Sequence, residues 1–438
     1  MTLSLIGIIL GLIIAGVLIY KNVTPYIVGV VAAVIIAIFS GLDTITSLNS
    51  DYASGVGSLI TTLFLQVILG SILGKFYTET GASSVIARRL TAIFGKGNGV
   101  IWGILVVGGL LNLAGISYGS VFILRPIVIA LMRENKMSRR VILGLVYSSG
   151  ATWAMTGPFS TFWVNVIPMG TLGTTSYAGL IPGLAAAIVM FVVGGLYLSW
   201  QNKRYIAKNP DYMNDYERDT DVPEISLKKV EGEISLFVAL IPLVAEVFVF
   251  NVLKWNIIVS IAFAILLTII LMGKRFTPKQ WIEQMNAGAI YGGPLVLNQA
   301  AIVGIGAVVK MTPVFFGLTE FLANSNVSPY VLAIIAGNLI ACILASGTGA
   351  VTLSMSTLGD IFLGYGAKGY DMGNIHRLLV LSAGGLDSMP WSGAIVNYAQ
   401  IFKTSMKESY FPVFMTCTVI PIIACFGFAL PLALLGFK

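Results

Sequence analysis

Long uninterrupted apolar runs constrain the fold of this chain more than any other feature. Two of them are LSLIGIILGLIIAGVLIY, residues 3–20, and IIVSIAFAILLTIILMG, residues 257–273. At 1.5 Å of rise per residue, helices of about 17 to 20 residues match a bilayer hydrocarbon core about 30 Å thick. Because an α-helix satisfies its own backbone groups where water is absent, the runs predict membrane-spanning helices. The chain is therefore predicted to be an all-α polytopic membrane protein.

The composition excludes several other classes of protein. Of 438 residues, 57% are hydrophobic and 10% are charged, whereas about 25% of residues are charged in a soluble domain. The net charge of +7 comes from basic residues between apolar runs, so it indicates orientation, and we expect no nucleic-acid partner. Cys342, Cys417 and Cys425 have no metal-ligand spacing, and the single histidine, His376 beside Arg377, is predicted to lie at the membrane interface. We expect no metal and no cofactor.

Motifs of membrane enzymes and ATP-driven pumps are also missing. The chain contains no GxSxG, HExxH or P-loop sequence, which argues against a protease or an ATPase. The first apolar run lacks a basic n-region and a small-residue cleavage site, so we expect it to remain a span.

The two halves of the chain resemble each other. PFSTFWVN at residues 158–165 matches PWSGAIVN at residues 390–397, a shift of 232 positions that also pairs further threonine, leucine and glycine residues. The match predicts a duplicated unit of roughly 200 residues. The first repeat covers residues 1–200 and the second covers residues 233–438. Between them, residues 201–232 form a polar segment predicted to be a cytoplasmic linker with at most a small surface helix.

Basic residues predict the orientation of the first repeat. They cluster at residues 75–96, in RENKMSRR at residues 133–140, and in the linker, and all three segments are predicted to be cytoplasmic. Residues 100–132 must then enter and leave the membrane on one side, as a re-entrant hairpin that turns at AGISYGS, residues 114–120. Irregular backbone at this depth must be buried in protein or face water.

The second repeat is predicted to insert with the opposite orientation. KRFTPKQW at residues 274–281 is cytoplasmic by the same rule, so the hairpin at residues 327–366 enters from outside and turns at residues 345–354. Each repeat then contributes about five transmembrane helices plus one re-entrant hairpin. The odd number of crossings inverts the second repeat, and both chain ends are predicted to lie outside.

Four polar interruptions of the apolar pattern stand at residues 114–120, 148–160, 345–354 and 382–392. The first and third are the hairpin tips. The second and fourth lie in spans that glycine and proline unwind, which predicts broken helices at about 139–169 and 371–402. Freed amides and half-helix N-termini would meet near the midplane and supply donors for an anion. Close helix packing is the alternative explanation for the small residues.

The interruptions contain the candidate substrate-binding residues, which are hydroxyl, amide and glycine positions. They are Ser117, Tyr118, Gly119, Ser120, Ser149, Gly150, Thr152, Thr156, Asn165, Thr348, Gly349, Gly384, Ser388, Ser392 and Asn397. The hydroxyls and amides could bind hydroxyl groups or carboxylate oxygens of a polar substrate. For Asn165 and Asn397, hydrogen bonding between helices is the alternative.

Ionisable residues within spans are functional candidates because their burial is costly. Asp387, in the fourth interruption, is predicted to exchange a proton with the cavity; capping of the next half-helix is the alternative. Arg125 is predicted to meet a substrate carboxylate or to pair with Asp387, and snorkelling toward the cytoplasm is its alternative. Glu246 and Asp360 are predicted to lie near hydrated span ends.

Four segments resemble the gluconate permease (GntP) family of bacterial proton symporters, within the ion transporter superfamily. They are LGKFYTETGASSVIARRL, VFILRPIVIAL, SGTGAVTLS and GGLDSMPWSGAIV. The resemblance implies two inverted repeats with one re-entrant hairpin each, a homodimer in the bacterial inner membrane, and a transport domain that moves against a scaffold like an elevator. It also implies proton-coupled uptake of a small organic anion, either gluconate, another sugar acid or a hydroxy acid such as hydroxybutyrate.

The sequence departs from the gluconate-type pattern at two places. Tyr118 stands where gluconate-type members have an acidic residue beside the first tip, and LDSMPWSG replaces their pattern in the last interruption. The latter is closer to the hydroxybutyrate permease-like branch. The departures leave open which carboxylate carries the proton, and Asp387 is the candidate.

Two other modes of transport remain open at this point. Carbonyls and hydroxyls at the two tips could hold a sodium ion, which would make the carrier sodium-coupled. An anion channel is less favoured, because a channel needs rings of like charge or a continuous polar face. An intramembrane hydrolase lacks a nucleophile paired with a base, so we expect the protein not to be an enzyme.

Overall fold

The computed structural model describes residues 2–438 except residues 114–116, 161, 223–232, 254 and 326, and all regular elements in that part of the chain are helical. Its first half has the α-helices α1 Thr2–Tyr20, α2 Pro25–Ser40, α3 Thr44–Glu79, α4 Ala82–Phe94, α5 Gly99–Leu113, α6 Ser117–Glu134, α7 Ile142–Ala151, α8 Trp163–Leu172 and α9 Leu180–Lys208. Its second half has α10 Leu236–Asn251, α11 Ile257–Met272, α12 Pro278–Lys310, α13 Pro313–Ala323, α14 Pro329–Leu344, α15 Gly347–Ala367, α16 Met372–Leu386, α17 Gly393–Ile401 and α18 Met406–Leu434. A short 3-10 helix, Tyr212–Arg218, lies in the linker.

Six of these helices are long and apolar enough to cross a membrane. They are α1, α3, α9, α11 together with the 3-10 turn that follows it, α12 and α18. The shorter helices α2, α5, α10, α13 and α14 are also apolar. This all-helical arrangement is consistent with a polytopic membrane protein.

The second half repeats the helix order of the first. The bounds of α2, Pro25–Ser40, and of α11, Ile257–Met272, lie 232 residues apart at both ends. The helix pair α5 and α6 corresponds to α14 and α15, and the interrupted pair α7 and α8 corresponds to α16 and α17, with bounds within three residues of the same shift. The helix bounds therefore recur at the shift found in the sequence.

Three segments with clustered basic residues lie together. Asn135, in the loop after α6, accepts a hydrogen bond from the Gly97 amide before α5 at 3.0 Å. Asn202 near the end of α9 donates to Asn98 at 3.2 Å and accepts from the Ser138 amide at 2.8 Å. The two ends of the first helix pair are therefore adjacent, next to the start of the linker.

The segments predicted to face outside also lie close to one another, apart from the basic segments. Thr174, after α8, lies 2.7 Å from His376 Nδ1 at the start of α16, and Asn374 donates to the Phe437 carbonyl at 2.8 Å. His376 is fully buried, and its Nε2 lies 3.1 Å from Asn165 Oδ1. His376 is therefore buried among polar side chains, which contact both ring nitrogens, and its place at the membrane interface stays a prediction.

Helices α3 and α12 pack closely through small residues. A Cβ at Gly288 would lie 2.7 Å from Ile72 Cα, and a Cβ at Gly55 would lie 2.7 Å from the Ala307 methyl group. Small residues at such contacts let helix backbones approach in a membrane. The two packed helices form one wall of the central cavity.

Candidate functional site

A cavity of about 470 Å³ lies between the packed helices α3 and α12, the tip of the second hairpin and both helix breaks. Its polar lining includes Ser58, Thr62, Gln66, Asn112, Gln299, Lys310, Ser346, Thr348, Thr352, Asp387 and Ser392. Aromatic and aliphatic side chains make up most of the remaining wall. This volume, with a few polar groups in an apolar wall, is typical of a small-molecule site.

The tip of the second hairpin is a tight turn. Helix α14 ends at Leu344, and Ala345 then takes a left-handed conformation with φ of 49°. The Ser346 hydroxyl caps α15 by accepting from the Gly349 amide at 3.1 Å. The first turn of α15, which includes Thr348, lines the cavity, so the positive end of this helix faces the cavity.

Asp387 ends helix α16 at the second break and is only 6% exposed. Its Oδ1 accepts a hydrogen bond from the Ser388 hydroxyl at 2.9 Å. A Cβ at Gly347 would lie 2.9 Å from Asp387 Oδ2, so the carboxylate rests against the start of α15. The bare backbone of Gly347 makes this approach possible.

The second break is fixed to the hairpin tip by neutral hydrogen bonds. The Trp391 indole donates to the Cys342 carbonyl at 2.9 Å, and the Ser392 hydroxyl donates to the Ala345 carbonyl at 3.4 Å. Ser392 also precedes α17, whose first residues line the cavity. The break and the tip therefore present two helix N-termini to the same space.

The first break, residues 152–162, is held by a buried cation. Arg377 is fully buried and donates to the carbonyls of Thr156, Ser176 and Ala178 and to Asn165 Oδ1, at 2.6 to 3.2 Å. Its described contacts are all uncharged oxygens. The guanidinium thus ties the first break, at the Thr156 carbonyl, to Asn165 on α8 and to the loop before α9.

Among the predicted residues whose side chains the structure describes, four line the cavity: Thr348, Gly349, Asp387 and Ser392. Two others support lining residues directly. Asn397 donates to Gln299 Oε1 at 3.0 Å, and a Cβ at Gly150 would lie 2.2 Å from the Asn112 amide nitrogen.

The remaining hydroxyls of the first break are occupied by backbone. Ser149 donates to the Val146 carbonyl at 2.7 Å, Thr152 to Ser148 at 2.8 Å, and Thr156 to Thr152 at 2.7 Å. Short hydroxyl side chains in helices commonly bond the preceding turn in this way. These residues therefore do not offer their hydroxyl hydrogens to the cavity.

Other predicted residues lie behind the cavity or outside the described part. Ser388 bonds Asp387, Asn165 bonds Arg377, and Gly384 packs on the Thr156 methyl group. The first hairpin tip includes residues 114–116, and the side chains of Ser117, Tyr118, Gly119 and Ser120 also lie outside the described residues. The predictions made for this tip stay predictions.

Arg125 does not contact Asp387 and does not line the cavity. Its guanidinium forms two hydrogen bonds with the Asp221 carboxylate, at 2.7 and 3.1 Å, and a third with the Ile401 carbonyl at 2.6 Å. Burial alone would raise the pKa of Asp221, but hydrogen bonds and positive charge from Arg125 and Lys403 hold it well below its usual range. The linker therefore supplies the carboxylate that was expected from a substrate.

Sequence reasoning missed several lining residues, above all Lys310. Its side chain is exposed at the end of α12, where it lines the cavity. The signal was present, because Lys310 is the sole basic residue between Lys279 and Lys368 and lies at a span end predicted to face outside, against the usual bias. Gln66 and Gln299 gave no comparable signal, since isolated amides also bond helices together.

Glu246 was predicted to lie near a hydrated span end, and this interpretation is wrong. The residue is fully buried in α10, and neither of its carboxylate oxygens has a hydrogen-bond partner among the described residues. It lies outside the cavity lining. Asp360, in contrast, is exposed.

Comparison with known proteins identifies the family. A sequence model of the GntP family permeases matches residues 1–385. The chain belongs to the GntP permease family. This GntP permease is 25% identical over 360 residues to the high-affinity gluconate transporter of Escherichia coli, which covers 76% of this chain and 75% of the relative. It is also 25% identical over 416 residues to a gluconate permease of Bacillus subtilis, covering 88% and 89%.

A further relative is an uncharacterized transporter of Bacillus subtilis, YxjC. It is 24% identical over 424 residues, covering 86% of this chain and 89% of the relative. The family resemblance noted in the sequence is thereby confirmed, as is a multi-pass bacterial membrane protein. The relatives are named as transporters and permeases, not as enzymes.

Proposed function

We propose that this GntP permease is a secondary active transporter that imports a small organic anion together with protons. The observation that carries the proposal is the central cavity, where Asp387 lies against the N-terminus of α15. The names of the gluconate-transporting relatives support a sugar acid or a chemically similar hydroxy acid as the substrate.

The cavity offers a set of groups suited to a hydroxylated anion. The first residues of α15 and α17 line it, and helix N-termini present amide donors and positive potential to anions. Lys310 adds a cation at the outer end of α12. The buried amides of Gln66, Asn112 and Gln299 line the same cavity and are suited to bind substrate hydroxyls.

Asp387 can couple the anion to a proton by electrostatic exclusion. Among the described residues that line the cavity, it is the acidic side chain and Lys310 the basic one. A charged carboxylate at an assumed separation of about 5 Å would oppose an anionic substrate by about 3 kcal/mol at an effective dielectric constant of about 20. A protonated Asp387 removes this repulsion and can donate a hydrogen bond, so the proton and the anion bind together.

The proposed passage is open toward the outside. The cavity is lined by Lys310 at the end of α12, a span end predicted to face outward, and by Ser58 and Thr62 in the middle of α3. Adjacent loops before α5 and after α6 support a re-entrant first hairpin. Two oppositely inserted repeats, with hairpins and broken helices moving against α3 and α12 as an elevator, are the mechanism we propose, and a homodimer remains a prediction.

Transport in proteoliposomes tests the proposal. Purified protein is reconstituted, and uptake of labelled gluconate and 3-hydroxybutyrate is followed under an inward proton gradient, an inward sodium gradient or neither. We expect saturable accumulation of at least one anion with the proton gradient alone. Accumulation that requires sodium would establish the alternative coupling, and flux that does not saturate would establish a channel.

A further inference from the structure

A second cavity, of about 180 Å³, lies between α3, α6 and α12 near the linker. It is related to the outer part of the central cavity by the internal shift of 232 residues. Thr78 of the small cavity corresponds to Lys310 of the large one, and Tyr291 corresponds to Leu59. The two spaces therefore lie toward opposite ends of the packed pair α3 and α12, and are here called the inner and outer vestibules.

The inner vestibule is occupied by a protein carboxylate. Arg125 and Asp221 both line it, and they are joined by the paired hydrogen bonds described above, 2.7 and 3.1 Å long. A planar guanidinium binds a carboxylate through two parallel hydrogen bonds, whether the carboxylate belongs to a side chain or to a ligand. Asp221 thus has the chemistry and geometry expected of a bound carboxylate substrate.

Further ion pairs fix the linker in this position. Lys403, after α17, contacts Asp221 Oδ1 at 2.6 Å, and Arg139 binds the fully buried Asp219 at 2.7 and 2.9 Å. Arg139 also donates to the Phe402 carbonyl. The linker thereby holds the C-terminal end of α17, the half-helix whose N-terminal end lines the central cavity.

The outer vestibule has no equivalent of this closure among the described residues. The residue that corresponds to Arg125 is Thr357, an exposed threonine on α15 whose hydroxyl bonds the Leu353 carbonyl. The described ion pairs place no linker carboxylate near it. Closure by a carboxylate is therefore a property of the inner end, where the anion must leave.

We propose that Arg125 is a second carboxylate-binding site, occupied by Asp221 of the linker while the passage is open to the outside. The transported anion takes the place of Asp221 at Arg125 and so opens the inner vestibule. This inference rests on the proposed transport function and adds to it a release site and a gate. The ligand class is a small carboxylate, the same as that of the central cavity.

Accessibility of the inner vestibule tests the gate. Thr78→Cys is made in a background with Cys342→Ala, because Cys417 and Cys425 are buried, and inside-out vesicles are labelled with a membrane-impermeant maleimide. Removing the ion pair with Asp221→Asn should increase the labelling rate about fivefold, the effect of a partly exposed ion pair on a closed state. Glu217→Gln removes the same charge from an exposed position of the linker and should leave the rate unchanged.

Equal labelling rates in Asp221→Asn and Glu217→Gln would overturn the proposal. Asp221→Glu serves as a second variant, since it keeps the carboxylate and should restore slow labelling. Thermal unfolding of each variant separates an opened vestibule from a misfolded protein.

The response to anions tests the binding site itself. Gluconate or 3-hydroxybutyrate, whichever is transported, should accelerate labelling of Thr78→Cys in the presence of Arg125 and have no effect with Arg125→Gln. Sulfate at matched ionic strength should have no effect. If uptake is intact but the anion does not accelerate labelling, or sulfate accelerates it equally, the second site is refuted and the proposed function stands. If saturable uptake is absent, the proposed function itself is refuted.

Discussion

The two helix breaks occupy corresponding positions in the two halves, but their chemistry differs. The first covers residues 152–162 and the second covers residues 387–392. Met155 corresponds to Asp387 at the shift of 232, and both residues line the cavity. The two halves thus have a helix break at corresponding positions, while an ionisable group stands at only one of these two positions.

The breaks are also held differently. The first is anchored by Arg377, a buried cation from the other half that binds carbonyl oxygens. The second is joined to its own hairpin tip by neutral hydrogen bonds from Trp391 and Ser392. The comparison teaches that buried charge is placed in two ways here: Arg377 ties a carbonyl of the first break to α8 and to the loop before α9, whereas Asp387 lines the cavity.

The largest expected effect is loss of coupling at the second break. Asp387→Asn removes the ionisable group without changing its size, so proton-driven accumulation should be abolished while exchange of internal for external anion continues. Both activities are measured in proteoliposomes. Glu246→Gln, which neutralises a buried carboxylate outside the cavity, is the matched control and should accumulate substrate normally. A wild-type pH dependence in Asp387→Asn would remove Asp387 from the coupling mechanism.

The next effect concerns the first break and should appear in stability. Arg377→Met leaves several buried carbonyl groups without donors, which should cost about 3 kcal/mol and lower the unfolding temperature in detergent. Arg89→Met, at an exposed position on α4, controls for loss of a positive charge. If the two variants unfold at the same temperature, Arg377 does not anchor the break.

A smaller effect is expected where the second break meets the hairpin tip. Gly347→Ala places a methyl group 2.9 Å from Asp387 Oδ2 and 3.3 Å from the Ala383 carbonyl, so the carboxylate must move. Displacement of a reacting group should lower uptake about tenfold. Gly364→Ala, on the same helix with open space around it, should have no effect, and equal uptake by both variants would show that the close approach is not required.

The smallest effect extends the comparison to the outer vestibule. Lys310→Gln removes the cation at the entrance and should raise KM about threefold to fivefold while leaving the maximal rate unchanged, with less sensitivity of KM to salt. Lys368→Gln removes an exposed charge outside the cavity lining and is the control. A lower maximal rate at unchanged KM in Lys310→Gln would contradict an attractive role for this residue.

Features that depend on local sequence could be predicted. Both breaks fall where glycine and proline interrupt apolar runs, and the helix bounds recur at the shift that PFSTFWVN and PWSGAIVN define. Asp387 was identified because a carboxylate inside a span is costly unless it has a role. Such features follow from composition within a few turns of helix.

Features that depend on distant partners could not be predicted. Arg125 binds Asp221, 96 positions away, and Arg377 binds the Thr156 carbonyl, 221 positions away. Such distant pairing cannot be read from one sequence, so Arg125 was predicted to meet a substrate carboxylate or to pair with Asp387, with snorkelling as the alternative. The hydroxyls at the first break were predicted to bind substrate, but they donate to backbone carbonyls three or four residues earlier in the chain.

The lone carboxylate among the described lining residues of the cavity has a consequence for energetics. A monovalent anion that enters with one proton on Asp387 carries no net charge across the membrane. Since membrane voltage does about 2.3 kcal/mol of work per elementary charge per 100 mV, it would contribute nothing to such uptake. The cell could then concentrate this substrate only as far as the pH difference across its membrane allows. At the same pH difference, a cell with a depolarised membrane would import the substrate as well as a cell with a polarised one.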